Sequence, residues 1–201
     1  SVRKGKGLTQ EMEAAMLDAG IEPWYIESCK KIKYMFPKAH AVAYVMMAFR
    51  IAYCKVYYPL AYYAAFFSIR ATAFNYELMC QGQGVLEGHI KDYTKRSNEL
   101  SKKEQDVLKD MKIVQEMYAR GFSFYPLDIY RAKAKEFQII DGLLMPSLST
   151  IDGMGDKVAE SVVQEAKKDS FSSWEDIKNR CKVSQSTMEK MDELGILNHL
   201  P

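Results

Sequence analysis

The chain has 201 residues, 48% of them hydrophobic and 27% charged, with a formal net charge of +2; that length allows one domain or two modest ones, and the balance is that of a globular chain, not a disordered one. Cys29, Cys54, Cys80 and Cys181 lie far apart with no C-x-x-C pair, which argues against a zinc knuckle or a disulfide scaffold and for a reducing, cytoplasmic setting. The longest apolar run, residues 39–49, is too short to span a bilayer, so no membrane partner is expected.

The first residues carry no apolar signal core and no initiator Met, and read as the start of a mature product or an excised piece. Residues 8–19 predict a short helix, capped by Thr9 and closed by Gly20. Pro23 suits the first turn of the next helix, in PWYIESCKKIKY. Pro37 and Pro59 bracket a third helix of about 20 residues, apolar nearly all round in its first half. That pattern predicts a buried helix with one functional edge. PLAYYAAFFSIRA repeats the aromatic character and is expected to form a helix packed beside it.

CQGQGVLEGHIKDYTKRSNEL reads as a polar linker. SKKEQDVLKDMKIVQEMYARG is the best-marked helix, with Ser101 and Glu104 as a capping box and Gly121 as its stop. A domain boundary is expected near Arg120, dividing residues 1–119 from 120–201. Beyond it, Asp141-Gly142 between two short apolar runs signals a type I′ hairpin. Val158, Ala159, Val162, Val163 and Ala166 form a stripe at helical spacing. Ser173 and Asp176 can cap WEDIKNR, Ser186 and Glu189 make a capping box for TMEKMDEL, and Gly195 ends that helix. A glycine-bearing hairpin beside short helices occurs at Gly153 and again near Gly195, a weak internal repeat. The fold class is mainly α with a small β-hairpin.

The net charge hides an asymmetry. Residues 28–76 contain no Asp or Glu and hold Lys30, Lys31, Lys33, Lys38, Arg50, Lys55 and Arg70. Like charges so segregated, with aromatics between them, suit a polyanion; a solvated basic face is the plainer alternative. In KIKYMFPKAHAVAYV, Tyr34 and Phe36 suit an apolar platform for a base, with Lys33, Lys38 and His40 beside it. His40, Tyr44, Met47 and Ile51 share one helix face with Arg50 at its edge. Lys38 and Arg50 read as phosphate contacts, Tyr44 and Met47 as core.

In STIDGMGDKVAESVV, Gly153 and Gly155 allow positive φ and close approach of a neighbour. Their N–H groups and the first free N–H groups of the following helix form an anion nest. Met154 would anchor the turn in the core, and Lys157 stands where a phosphate oxygen would arrive. This is a helix-hairpin-helix arrangement, which grips DNA by its backbone; a plain tight turn is the alternative. A dinucleotide site would need a preceding βαβ strand and a third glycine. Two-metal nucleotidyl transfer needs clustered carboxylates, and no Asp-x-Asp occurs; His40, His89 and His199 are scattered. The chain is expected to bind and not to catalyse by itself.

KIKYMFPKAHAVAYVMMAFRIAYCKVYYPLAYYAAFFSIRA resembles the fingers of the PolC-type DNA polymerase III alpha subunit, the replicative polymerase of low-GC Gram-positive bacteria. ARGFSFYPLDIYRAKAKEFQIIDG and the run from STIDGMGDKVAESVV to the end resemble its tandem helix-hairpin-helix domain. The F-P-K-A-H-A-x-A-Y run is the specific part; residues 81–100 contribute little. The resemblance implies C-terminal fingers over 1–119 and a duplex-binding domain over 120–201. It implies that Lys33, Tyr34, Phe36, Lys38, His40 and Arg50 face incoming dNTP or template. Gly153, Gly155, Lys157, Ser184, Gln185 and Ser186 would hold duplex phosphates.

The family's complete enzyme uses Mg²⁺ on palm carboxylates and carries a 3′–5′ exonuclease and a polymerase-and-histidinol-phosphatase domain. None of those motifs occurs here, so no metal is expected on this chain. The family's sliding-clamp peptide is not found before Pro201. A stand-alone helix-hairpin-helix module and a helical protein-interaction module are the alternatives.

Overall fold

A computed structural model describes residues 1–198 and residue 200; His199 and Pro201 lie outside the described residues. These fall into two compact units, residues 1–53 and 54–201.

In the first unit a 3₁₀ turn (Val2–Lys4) precedes α1 (Gln10–Asp18), α2 (Pro23–Lys31) and most of α3 (Lys38–Tyr57). Thr9 caps α1, accepting the Met12 N–H at 3.3 Å, and Gly20 follows at φ +73°. Pro23 occupies the first turn of α2, where its missing N–H costs nothing. Lys30 on α2 pairs with Glu13 of α1 at 2.8 Å and with Glu27 at 3.0 Å.

The two prolines bracket α3 as the sequence predicts, but the expected burial is not found: no residue of α3 is buried, and Phe49 is 72% exposed. A helix apolar on every side needs cover on every side. The first unit offers two nine-residue helices whose buried side chains are Ile26 and Cys29, both on α2. A surface so small cannot cover α3. Tyr44 and Met47, expected in the core, stand in solvent for the same reason.

In the second unit, α4 (Pro59–Ile69), α5 (Tyr76–Met79), α6 (Gln83–Lys95) and α7 (Lys102–Ala119) share an apolar cluster built on Tyr63, Phe67, Met79, Leu86, Met111 and Met117. The supposed linker is therefore largely helical. Gly82, at φ +100°, begins α6, and Leu86 and Ile90, one turn apart, enter the cluster. The α7 capping box forms as expected, with Ser101 Oγ accepting from the Glu104 N–H and Glu104 Oε2 accepting from the Ser101 N–H at 2.9 Å. Gly121, at φ +81°, follows its end.

At the base of this cluster Lys55 Nζ meets Glu116 at 2.7 Å, and the Tyr63 hydroxyl donates to Glu116 at 3.0 Å. Arg120 donates to that hydroxyl and to the Lys55 carbonyl. Burial pushes the Glu116 carboxyl up, but Lys55 and Tyr63 outweigh it and hold it below its usual range.

Two strands, β1 (Gln138–Ile140) and β2 (Leu143–Met145), pair antiparallel with Ile140 opposite Leu143. Asp141 and Gly142 both have positive φ, at 50° and 77°, as the type I′ turn requires. A second 3₁₀ turn (Leu148–Thr150) leads to α8 (Asp156–Lys168), α9 (Trp174–Cys181) and α10 (Gln185–Glu193). These pack on a second apolar cluster containing Leu148, Ile151, Met154, Val162, Ile177, Met188 and Met191. Arg180 locks α9 to α8, donating to the Glu165 carbonyl at 2.7 Å and lying 4.6 Å over the Phe171 ring.

The compact units divide between residues 53 and 54, within α3. The two apolar clusters of the second unit interleave along the chain: Tyr76 belongs to the second cluster, and Phe137 and Leu144 belong to the first. All four cysteines are free; Cys29 and Cys181 are buried, Cys80 is half-buried and Cys54 is exposed. No described helix is long and apolar enough to cross a membrane.

Candidate nucleic-acid interface

Two turns in the second unit share one backbone. In the first, Gly153 has φ +85°, Met154 is buried, and Gly155 is the N-cap of α8 with φ −68° and ψ 154°. In the second, Lys182 has φ +56°, Val183 is buried, and Ser184 is the N-cap of α10 with φ −68° and ψ 153°. The likeness continues down the helices, where Ala159 and Val162 are buried as Met188 and Met191 are. This is a tandem helix-hairpin-helix. Its second turn lies at Lys182–Ser184, which corrects the sequence reading that placed the repeat near Gly195. That glycine, at φ +71°, only terminates α10.

The turns differ in what they leave available. Glycine has no side chain to cap with, so no side-chain bond closes the start of α8. The N-terminus of this 13-residue helix has no side-chain cap, and the positive end of a helix stabilises an anion. Met154, 4% exposed, pins the turn from below. Gly155 does not need positive φ, contrary to expectation; an added Cβ there would meet no atom within 4 Å, so the missing side chain leaves open approach.

Two acids flank this turn and both are countered. Asp152 is bonded by Lys190 of α10, which holds its carboxyl below the usual range. Asp156 pairs with Lys135 at 3.1 Å, and Lys135 also meets Glu160 at 2.9 Å. Lys157 is exposed and pairs with no carboxylate among the described residues.

The second turn is closed upon itself. Ser184 Oγ accepts the Thr187 N–H at 3.2 Å and lies 3.1 Å from Ser186 Oγ. Ser184, not Ser186, is therefore the cap, because the chain enters the helix one residue after it. Gln185 takes Lys178 Nζ at 2.8 Å and gives its amide to Glu189 at 2.9 Å, so both ends of its side chain are engaged. The free cation here is Lys182, exposed and without a carboxylate partner among the described residues. The sequence reading missed it, since only the backbone places a lysine at the position Gly153 holds in the first turn.

The first unit gathers its own set. Rings run along one line, with centroids 6.0 Å apart from Tyr34 to Phe36, 4.8 Å from Phe36 to His40 and 4.5 Å from His40 to Tyr44. Arg50 lies against Met47 Sδ at 3.9 Å. The segment before α3 is held by the N-terminal 3₁₀ turn, where the Met35 N–H donates to the Arg3 carbonyl at 3.2 Å. Gly5, at φ +71°, lets that turn approach; a Cβ there would stand 2.1 Å from the Lys33 carbonyl oxygen. Lys33, Lys38 and Arg50 are exposed and have no carboxylate partner among the described residues. The acid-free stretch is thus only partly compensated. Lys30 and Lys55 find acids on other elements, whereas Lys33, Lys38 and Arg50 do not. No group of three His, Cys, Asp or Glu side chains that could hold a metal ion occurs among the described residues.

A family model for the helix-hairpin-helix motif matches residues 121–201. Over all 201 residues the chain is 45% identical to a protein of Caldanaerobacter subterraneus subsp. tengcongensis named DNA polymerase III PolC-type. A protein of the same name from Clostridium perfringens is 46% identical over 98% of the chain, and one from Listeria welshimeri is 48% identical over 100% of the chain. In each case the chain spans 14% of the relative's length.

Proposed function

We propose, for a chain that belongs to the PolC-type DNA polymerase III family, that its second unit holds duplex DNA by the phosphates while its first unit faces the templating base and incoming nucleotide. The matched pair of turns carries this reading. They present Gly153, Gly155 and Lys157 on one side, and Lys182 with Ser184 to Ser186 on the other. Related by the repeat, the turns suit the two strands of a duplex. The contacts offered are backbone amides and single charges, so all sequences should be held alike.

In the first unit the exposed rings of Tyr34, Phe36 and His40 supply faces for stacking, and Lys33, Lys38 and Arg50 supply charge for phosphates. Template-directed nucleotidyl transfer, with the Mg²⁺ that stabilises it, is assigned to the longer protein, and with it the cytoplasmic location at replication forks. The metal supplies charge stabilisation to the transferring phosphoryl group; the residues of this chain bind and orient. Sliding-clamp binding is not assigned to this chain.

The test is a titration of the chain with labelled duplexes of several sequences across a range of salt. Binding indifferent to sequence and falling steeply with salt is the expected result. Binding without salt dependence would favour a protein-interaction module, and extension of a primer by the purified chain would overturn the assignment of catalysis elsewhere.

A further inference from the structure

Beside the first turn lies a cleft of about 420 Å³. One wall is Ser149 to Gly155, the turn itself; the other is the loop from Thr72 to Asn75 with Lys103 and Val107 of α7. The far wall is firmly seated. Val107 belongs to the α4–α7 cluster, and Asp110 on α7 accepts the Ala73 N–H at 3.1 Å, fixing the loop. The charged side chains lining the cleft are Lys103 and Asp152. Asp152 is bonded by Lys190, so one positive charge is left over.

Lys103 is singled out by its neighbours. Lys102 pairs with Asp106 at 3.6 Å, and Lys109 meets the same carboxylate at 2.8 Å. Lys103 is exposed and has no carboxylate partner among the described residues, although it adds to the field that, after Lys190, depresses Asp152. A lysine lining a cleft beside the N-terminus of α8, which has no side-chain cap, is placed for an anion that continues past the turn.

We propose that this cleft is a further phosphate site, with Lys103 as its cation. It takes the sugar-phosphate backbone adjoining the phosphate held at Gly153 to Lys157. The helix-hairpin-helix would then continue onto α7, an element outside the motif. The inference rests on the reading of the second unit as a duplex binder.

The experiment compares the whole chain with Lys103→Ala, Lys103→Arg and Lys102→Ala, by anisotropy of a labelled mixed-sequence duplex across a salt series. Lys103→Ala should weaken binding several-fold at low salt and shallow the slope of log affinity against log salt by roughly one unit. Lys103→Arg should restore the slope, and Lys102→Ala should leave it near wild type. An unchanged slope for Lys103→Ala, in a chain that binds duplex and loses affinity on Gly155→Ser, overturns the cleft alone. Equal losses for Lys102→Ala and Lys103→Ala overturn it as well, since any surface charge would then serve. Failure of the unaltered chain to bind duplex overturns the cleft and the underlying reading together.

Discussion

The two turns of the second unit share a left-handed residue and near-identical cap angles, and have opposite chemistry. At Gly153–Gly155 the backbone takes its shape without cost and the helix behind it stays uncapped. At Lys182–Ser184 the same shape is imposed on a lysine in the left-handed region, and a serine closes the helix. The difference teaches that the fold sets the path of a turn, while the residues on it decide between stability and availability. The first turn leaves α8 without a side-chain cap; the second closes α10 with Ser184 and offers a side-chain charge.

The largest effect expected from breaking this comparison is at Gly153. Valine there would be forced to φ +85° with its Cβ 2.9 Å from Thr187 Oγ1, itself buried in the facing turn. A loss of about 2–3 kcal/mol is expected, read as a lowered urea midpoint at unchanged slope, with weaker binding to every duplex tested. The converse change is Lys182→Gly, which relieves the left-handed lysine. It should stabilise the chain by roughly 1 kcal/mol while weakening duplex binding, so that stability and affinity move in opposite directions. A gain in both would show that Lys182 does not meet a phosphate.

The caps can be exchanged. Ser184→Ala should cost about 1 kcal/mol by freeing the Thr187 N–H. Gly155→Ser, for which the space is open, should add only a few tenths of a kcal/mol. By closing α8 as α10 is closed, it should also reduce duplex affinity. Undiminished affinity for Gly155→Ser would remove the α8 amides from the interface.

The smallest effect joins the two turns. Asp152, held below its usual range by Lys190, contributes stability above the unfolded carboxylate pKa, and this is lost as pH falls through the lower folded value. Since the pair is substantially exposed, the contribution should not exceed about 0.5 kcal/mol. Comparing the acid limb of stability in wild type and Lys190→Met would reveal it.

Much of this was legible where a single residue type carries a single backbone instruction. Thr9, Ser101 with Glu104, Asp141-Gly142 and Gly153 each state their local geometry, and each is found as stated. Legibility failed where the instruction is shared or comes from elsewhere. Ser184 and Ser186 both offer a hydroxyl ahead of the same helix, and only the entry path of the chain selects Ser184. Gly84 and Gly88 disguise α6 as a linker, since its helical state comes from packing of Leu86 and Ile90 and not from propensity. Lys182 carries no mark of a left-handed residue at all. The exposure of α3 could not be read from its composition, because burial depends on what else is present to cover it. In the first unit, the ring line from Tyr34 to Tyr44 was partly visible in the spacing. The role of Gly5 beneath Lys33 was not, because the two meet only through the fold.

The exposure pattern of the four thiols has a practical consequence. Alkylation needs access and a thiolate. Burial denies access to Cys29 and Cys181, pushes the Cys181 thiol up to about 11, and raises Cys80 well above its ordinary value. Cys54 alone is exposed, on α3, four positions beyond Arg50 and beside the division between the compact units. A maleimide dye at neutral pH should therefore attach at one position without any engineered cysteine. The sequence thereby provides its own fluorescence reporter on the basic aromatic helix, suited to testing whether nucleotide or template binds there.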